Sequence, residues 1–542
     1  MRYTLEVVLG IYFEQLIYSL LLLTVSCYYM NHLLLNRLSF GPTSAAKSRL
    51  KKMGYTAFLE EQLNPSKQIS PELQARKDAF KFVVDKAHYK NKGFNYYHAP
   101  LEKSWKLISE GLDEKIYIPP SEVVINNCYH AIYSNWQLEE LLVQFWHNHF
   151  TVSIKADQRV GVALPTYDKM IRQHAFGNFR TFLEAVAASP AMLFYLNNAS
   201  SRASPANENF ARELFELHTL GRNAYLANDY AHWKDVPGAK DGKAIGYIEE
   251  DVYEAARAFT GWSIAYGSDK HEDVRPDTGA FMYVEHWHDH YQKRVLGTEI
   301  PSHQPPLKDG QMVLDLVAYH PKTAYFVCSK LCRHFVADNP PNALVERAAQ
   351  LWRRTHKAPD QIRQVLRLIL SSEEFHASLG KKFKTPFQLL MSLFRSLEVE
   401  VAPNLHLRWL LGELGQMPFS APAPDGFPDC ASHWSSSSML LQRWNVMPKL
   451  LHSNWHKIFQ NPAQLLPDTN QSVQTIVQQC LERLLGKEQG QKFAHKEQLI
   501  QLLLRENRTA NQPPRTYNDD DKRYLFGQLW AFVAMTPEFQ YR

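Results

Sequence analysis

Cysteine is scarce in this chain. Six cysteines are spread over 542 residues: Cys27, Cys128, Cys328, Cys332, Cys430 and Cys480. Thiols so few and so scattered do not match a disulfide framework. Two of them, Cys328 and Cys332, lie four positions apart in a predicted helix, so they share a face and could supply half of a metal site. No second cysteine pair has zinc-finger spacing, and we therefore expect buried free thiols.

Several catalytic signatures are also absent. The sequence has no Gly-x-Ser-x-Gly elbow, no phosphate-binding glycine loop, no His-Glu-x-x-His pair and no dinucleotide glycine fingerprint. These absences exclude recognisable members of those enzyme classes. A long basic block is missing too, since the net charge is +5 and the cations form short clusters such as Lys381-Lys382-Phe383-Lys384. Nucleic-acid binding is therefore not favoured.

Long apolar runs are confined to the start of the chain. Residues Leu16 to Cys27 form an apolar run of signal-sequence length, preceded by Arg2 and by the acids Glu6 and Glu14. The run is short for a membrane span and lacks the basic start of a secretory signal. Residues 1–30 are thus a signal peptide, a short membrane anchor or a buried first helix. Export to the cell envelope or periplasm is slightly favoured over a cytoplasmic location.

Helical periodicity dominates the remaining sequence. Apolar content of 45% and charged content of 21% are typical of an ordered globular protein. We predict a mainly α fold, a large multi-helix globular protein with a few short strands and long ordered loops. Strands are expected only near His147 to Ile154 and Phe281 to His290. The predicted helices are Leu138–Trp146, Thr181–Ala188, Asp251–Phe259, Met312–Ala318, Thr323–Phe335, Ala343–Arg354 and Gln361–Leu370.

The segment Asn207 to Gly221 predicts a helix with a carboxylate on its apolar face. Asn207 is a good N-cap and Gly221 suits the position after the helix end. At about 100° per residue, Glu213 falls among the apolar positions of this helix. A carboxylate in such a position is costly unless it is paired, hydrogen-bonded, protonated or bound to metal. We expect Glu213 to be largely buried and to contact a cation, a donor network or a histidine, with a structural Arg or Lys partner favoured.

Two histidine clusters could supply metal ligands. If the backbone is extended in Phe145–Phe150, His147 and His149 share one face and could bind one metal ion, whereas on a helix they would diverge. Alternation would likewise place His286, His288 and His290 together, beside Asp289. The simpler interpretation of His147 and His149, which we favour, is that they make structural hydrogen bonds. For His286, His288 and His290 the simpler interpretation is a solvated edge strand.

Several further motif segments follow one another along the chain: His32–Thr43, Phe145–Phe150, Ser189–Leu193 with Tyr195-Leu196, Asn207–Gly221, Ala255–Trp262, His288-Asp289 with Lys293 and Leu296-Gly297, Lys330-Leu331 with Phe335-Val336, Leu414–Gln416, Pro424–Pro428 and Arg443. Read in this order, they resemble those of a bacterial family, the domain of unknown function 1800 family. The resemblance spans about residues 31 to 450 and implies a large, mostly helical bacterial protein, often encoded beside an exported sulfatase-like partner. It implies no settled activity and no catalytic residues.

The resemblance suggests an organisation for the chain. After the leader of residues 1–30, residues 31–450 form a helical core of this family's type. The polar loop Asn223 to Gly246 departs from the family pattern and is interpreted as an insertion. Residues 451–542 form a C-terminal helical extension.

We hypothesise that the motif segments converge on one polar pocket. The predicted catalytic residues are Glu213, His288 and Asp289; the binding residues are Arg212, Arg257, Trp146 and Trp262; and the metal ligands are His147, His149, Glu213 and His288. Such a site would be metal-assisted, with a divalent transition metal, or acid–base, and would act on an envelope polymer or a small molecule. The alternative is a non-enzymatic assembly or binding protein that works with the exported sulfatase-like partner. Membrane association could occur through residues 1–30.

Overall fold

A computed structural model describes most of the chain. The described residues are 30–84, 89–92, 94–267, 275–402, 406–453, 457–504, 508–516 and 518–542. The apolar run Leu16 to Cys27, and with it the interpretation of the leader, lies outside them. No helix in these ranges has the length and apolar character needed to cross a membrane.

The protein is mainly α, as predicted. Residues 30–38 are helical. The other α-helices are Ser44–Leu63, Pro71–Ala79, Leu101–Ser109, Ile118–Tyr133, Gln137–His149, Gln158–His174, Phe179–Ala187, Pro190–Tyr195, Glu208–Glu213, Glu249–Ala258, Lys308–Tyr319, Pro321–Phe335, Asn342–Arg354, Gln361–Leu370, Glu373–Ala377, Pro386–Leu397, His406–Glu413, Ala431–Trp434, Ser437–Ser453, Val473–Leu485, Lys487–Gln491, Lys496–Leu503, Asp519–Met535 and Pro537–Gln540. Short 3₁₀ turns occur at Asp113–Lys115, Asn198–Ser200, Arg222–Ala224, Trp233–Asp235, Ala239–Asp241, Glu285–Trp287 and Pro462–Leu465.

The seven predicted helices are all present, because their apolar periodicity matches a real buried face. The helix Gln361–Leu370 shows the pattern clearly, since Ile362, Val365, Leu366 and Ile369 are buried. Capping also follows the sequence: the Ser372 hydroxyl accepts a hydrogen bond from Phe375 N at 3.2 Å and begins the next helix.

Strands are short and antiparallel throughout the described ranges. They form three two-stranded sheets: Lys81–Val84 with Tyr89–Lys92, Trp262–Tyr266 with Asp277–Tyr283, and Lys293–Val295 with Thr298–Ile300. In the second sheet Trp262 is opposite Tyr283 and Ile264 is opposite Phe281. The strand predicted for Phe281 to His290 therefore ends at Tyr283, and a 3₁₀ turn follows, so the alternation that would align His286, His288 and His290 does not occur.

The strand predicted at His147 to Ile154 is wrong. The preceding helix continues to His149, and Phe150 N donates to Trp146 O at 2.8 Å in its last turn. Helical periodicity extends through the aromatic motif because Phe145, Trp146 and His149 all pack into the interior. His147 and His149 consequently diverge around the helix axis and do not share a face.

The helix predicted for Asn207 to Gly221 changes type partway along. Asn207 caps it by accepting from Asn209 N at 3.0 Å, an α-helix follows at Glu208–Glu213, and a π-helix follows at Leu214–His218. A π segment adds a residue to each turn, so it rotates the side chains after Glu213 away from their expected positions. His218 is buried as a result.

The chain divides into two compact units that are not contiguous in sequence. The larger unit comprises Leu59–Ser378 and Pro403–Cys430, and the terminal unit comprises the described parts of Met1–Phe58, Leu379–Ala402 and Ala431–Arg542. In the terminal unit the helices Ser437–Ser453 and Asp519–Met535 pack closely, since a Cβ on Gly527 would lie 2.4 Å from His452 Cα. All of the site residues predicted above lie in the larger unit.

Candidate functional site

His147 belongs to a buried ionic network. Its Nε2 lies 2.8 Å from Asp168 Oδ1, and the other oxygen of Asp168 accepts from Arg172 Nε at 2.9 Å and from the Tyr97 hydroxyl at 2.6 Å. Arg172 also donates to both Glu140 oxygens, at 3.0 and 2.9 Å. Burial alone would raise the pKa of Asp168, but these partners hold it well below its usual value. The network has the hydrogen bonding of a structural ion cluster.

His149 is a neutral imidazole inside an aromatic cluster. It is 1% exposed, and its Nε2 donates to His218 O at 3.1 Å. Burial, together with the charge of Lys330, lowers the pKa of His149 far below its usual value and that of His218 to about 3. Because Nε2 carries the proton, His149 Nδ1 is a bare acceptor, and no described group bonds to it.

Glycine allows the end of the π segment to approach the helix Pro321–Phe335. Gly221 has φ +86°, and a Cβ there would lie 2.7 Å from Phe326 Cδ2. Phe326 is one helical turn before Lys330, whose ammonium lies 5.5 Å from the centroid of the Phe326 ring. Two motif segments that are distant in sequence are thus packed together in the larger unit.

Glu213 is half-buried and lacks the compensating contact that we expected. Its Oε2 is shielded from solvent and has no hydrogen-bond partner within the described ranges. Burial raises the pKa of Glu213, and the nearby Glu216 carboxylate adds to that rise against the opposing charges of Arg222 and Arg212. The two arginines are engaged elsewhere. Arg212 Nη2 lies 2.8 Å from Glu249 Oε2 and 3.2 Å from Glu208 Oε2, and Arg222 Nε lies 3.5 Å from Glu216 Oε2.

Tyr195 and Asp425 are neighbours of Glu213. Burial, followed by the negative charges of Glu213 and Asp425, raises the pKa of the Tyr195 hydroxyl to about 12. Asp425 is exposed at the surface of the Pro424–Pro428 loop, and its charge also contributes to the raised pKa of Glu213. At neutral pH the Tyr195 phenol therefore keeps its proton.

Lys330 interacts electrostatically with Asp425. Burial and the charge of Arg333 lower the pKa of Lys330 to about 8, against the opposing effect of Asp425 and Asp429. We define the Glu213 cluster as Glu213, Tyr195, Asp425 and Lys330. Its members come from four motif segments. The pKa values of the Glu213 carboxyl group and the Tyr195 phenol are raised, and the pKa of the Lys330 amine is lowered.

His288 and Asp289 lie in a different network. His288 Nδ1 is 2.8 Å from Thr260 O, and its Nε2 is 3.2 Å from Asp309 Oδ2. Asp289 accepts from Arg257 Nε at 2.7 Å and from Arg257 Nη2 at 3.0 Å. Burial would raise the pKa of Asp289, but the Arg257 hydrogen bonds hold it below its usual value. The fully buried Lys293 donates to Asp309 Oδ2 at 2.7 Å and completes this structural set.

The predicted binding residues are placed inside the fold or in ion pairs. Trp146 is buried and donates from Nε1 to Ala175 O at 3.0 Å, while buried Trp262 packs against Phe259 and Phe281. Arg257 pairs with Glu254 at 2.7 Å in addition to Asp289. The structure gives these side chains packing and pairing contacts.

The four predicted metal ligands have different neighbours. His147 contacts Asp168, His149 contacts a main-chain carbonyl, and His288 contacts Thr260 and Asp309, while Glu213 lies in its own cluster. In the part of the chain that the structure describes, no three His, Cys, Asp or Glu side chains are arranged to hold a metal ion. His147 and His149 are two positions apart on one helix, so they do not form the pair of ligands on one face that an extended backbone would give.

Of the four residues in the Glu213 cluster, the sequence predicts only Glu213 as a site residue, and Tyr195, Lys330 and Asp425 are not among the predicted ones. Each lies within a segment that carries the family resemblance, so the ordered motifs contained the signal. Their proximity could not be inferred, because the segments are separated by tens to hundreds of residues and meet only in the folded unit.

Comparison with known families is consistent with the sequence resemblance. The family model described as "Protein of unknown function (DUF1800)" matches residues 33–541, nearly the whole chain. No curated protein and no solved structure gives a significant match.

Proposed function

The chain belongs to the DUF1800 family of proteins of unknown function, and on that premise we propose that it carries an acid–base site centred on Glu213. The substrate class is an envelope polymer or a small molecule. Glu213 acts as the proton donor and acceptor, and the Tyr195 hydroxyl and the Lys330 amine orient the ligand.

One observation carries this proposal: Glu213 Oε2 is shielded from solvent without a hydrogen-bond partner in the described part of the chain. Structural carboxylates of this protein look different, since Asp168 and Asp289 accept several hydrogen bonds and have lowered pKa values. The nearby Arg212 and Arg222 pair with other carboxylates. A carboxyl group that burial disfavours in its charged form retains its proton to higher pH and can donate it to a ligand.

The protonation state of Glu213 can be measured without a known substrate. We expect a water-soluble carbodiimide with glycine ethyl ester, which reacts with protonated carboxyl groups, to label Glu213 up to a higher pH than Glu208. Glu208 is a matched reference because it is on the same helix and pairs with Arg212. Peptide mass spectrometry would follow both sites. Coinciding pH profiles for Glu213 and Glu208 would contradict the proposal.

A hydrolysis assay provides a second test of the proposed Glu213 site. We expect hydrolysis of a panel of p-nitrophenyl esters, glycosides and phosphates to be lost in Glu213→Gln and kept in Glu208→Gln. Because the acid form of Glu213 donates the proton, the rate should fall as pH rises through its raised pKa. A folded Glu213→Gln protein with undiminished turnover would rule out this role.

A further inference from the structure

The loop that carries Asp425 has no helix or strand; a turn in which Gly426 N donates to Ala423 O at 3.2 Å sets only its local shape. Its sequence Pro424-Asp425-Gly426-Phe427-Pro428 contains two prolines and a glycine, which disfavour a helix. Some other contact must therefore fix where Asp425 lies.

Asn148 makes that contact. Its Nδ2 donates to Phe427 O at 2.8 Å, and its Oδ1 accepts from Phe427 N at 2.7 Å, so the amide pairs with both polar groups of one residue. Asn148 is in the last turn of the helix Gln137–His149, next to the aromatic cluster that buries His149. A rigid helix end is a precise support for a loop.

Gly426 lets the loop approach the helix closely enough for this pairing. It has φ +81°, and a Cβ there would lie 2.5 Å from Asn148 O, 2.6 Å from Asn148 Oδ1 and 2.8 Å from Thr151 Oγ1. Any larger residue would push the loop off the helix. Further along the loop, His334 Nδ1 lies 2.7 Å from Asp429 Oδ2, which gives a second point of attachment.

The position fixed in this way brings the charge of Asp425 to three groups. That charge acts on Tyr195, on Glu213 and on Lys330, which belong to three other segments of the larger unit. Asp425 is itself exposed, so it can meet a ligand from solvent.

We infer that Asn148 is a positioning residue which holds Asp425 in place as the second carboxyl group of the Glu213 site. This inference rests on the proposed function. The alternative is that Asn148 only stabilises the loop, with no effect on the chemistry of the cluster.

Two labelling reactions on the full chain distinguish these roles, because loss of the Asp425 charge changes the rates of the two reactions in opposite directions. Without that charge, Glu213 holds its proton less tightly, so its carbodiimide labelling at a fixed pH near the midpoint should fall by about twofold or more. Lys330 also loses an attractive partner, so its amine is more often neutral at pH 7 and its acetylation by an N-hydroxysuccinimide ester should rise. Mere loosening of the structure would increase both rates by exposure.

Asp425→Asn removes the charge directly, so the labelling of Glu213 should fall and the acetylation of Lys330 should rise. We expect Asn148→Ala to reproduce it, because the loop then leaves the helix end. Asn178→Ala is the control at a different place: it removes two loop hydrogen bonds, to His356 O and Ala358 O, and in addition the bonds that Asn178 accepts from Arg180 N and Thr181 N at the start of a helix. It should leave both labelling rates as in the wild type.

Each remaining outcome counts against the inference. Unchanged rates in Asn148→Ala, a rise of both rates or any other combination would overturn the positioning role. The proposed function fails separately, if wild-type Glu213 labels with the same pH profile as Glu208. Failure of the proposed function and failure of the positioning role are thus distinguishable. The first is seen in the pH profile of Glu213 labelling in the wild type, and the second in the labelling rates of Asn148→Ala.

Discussion

At the scale of single residues, acidic side chains in the larger unit have two different environments. Asp168 is surrounded by His147, Arg172 and Tyr97, whereas Glu213 Oε2 has no such partner in the described ranges. We expect the first arrangement to stabilise the fold, and the second is the basis of the proposed acid–base site. Removing a charge should therefore have opposite consequences at the two places.

We expect Asp168→Asn to lower the free energy of unfolding by about 3–5 kcal/mol, since Arg172 would lose one of its buried carboxylate partners. Glu299→Gln is the control, because Glu299 pairs with Arg294 at a partly exposed position and its loss should cost less than about 1 kcal/mol. Urea denaturation monitored by circular dichroism measures both. Equal effects would show that the Asp168 network is not a stabilising one.

The Asp168 contribution should also depend on pH. Its pKa is lowered in the folded state, so the stabilisation is complete above the unfolded-state pKa near 4 and decreases as pH falls below that value. The difference in stability between wild type and Asp168→Asn should be smaller at pH 3 than at pH 7. A difference that does not change over this range would contradict the assignment.

At the scale of elements, the turn that follows the π-helix Leu214–His218 depends on Gly221. Gly221 has φ +86° and ψ 153°, a region that is essentially restricted to glycine, and it contacts the Phe326 ring. We expect Gly221→Ala to lower the free energy of unfolding by about 1–3 kcal/mol from backbone strain, with a further cost from the clash. Gly161→Ala should be neutral or stabilising, because Gly161 is helical and its nearest neighbour, Pro120 Cγ, lies at an ordinary 3.5 Å. Thermal unfolding of both variants checks this, and similar shifts would refute it.

At the scale of the whole molecule, the terminal unit is assembled from distant parts of the sequence. Residues 382–384 pair with residues 540–542 through main-chain bonds, including Lys384 N to Gln540 O at 2.9 Å. Arg443 joins the same region, donating to Gln540 Oε1 and to Lys384 O, both at 2.8 Å. Arg443 is 1% exposed, so these bonds are made away from solvent.

We expect Arg443→Met to remove both bonds and to lower the stability of the terminal unit by about 1.5–3 kcal/mol for each. Hydrogen exchange should accelerate in residues 382–384 and 537–542 together, although these segments are far apart in sequence. Arg347→Met is the control, because Arg347 pairs with Glu374 at the surface. Protection that survives in either segment of Arg443→Met would show that Arg443 does not join them.

Two expectations about the whole protein stay predictions. The exported sulfatase-like partner rests on the family resemblance, and the interpretation of residues 1–30 concerns a segment outside the described ranges. The division of the chain at residues 30 and 450 likewise stays a prediction, while the two units seen here each combine segments that are separated in sequence.

The sequence by itself determined the helical class, the positions of the seven helices predicted from apolar periodicity, and the family. These features are local or ordered along the chain: apolar periodicity defines Gln361–Leu370, the Asn207 side chain begins its helix, and the motifs occur in family order. Local patterns suffice because a helix satisfies its main-chain hydrogen bonds within itself.

Only the tertiary structure decided which charged groups meet. Alternation around His147 and His149 resembled a strand, but burial of Phe145 and Trp146 kept the segment helical. Arg212, on the helix that also carries Glu213, pairs with Glu249 from another segment. The charge of Asp425, from a loop distant in sequence, raises the pKa of Glu213. Packing sets these distances, and electrostatic partners are chosen by distance in space, not by separation along the chain.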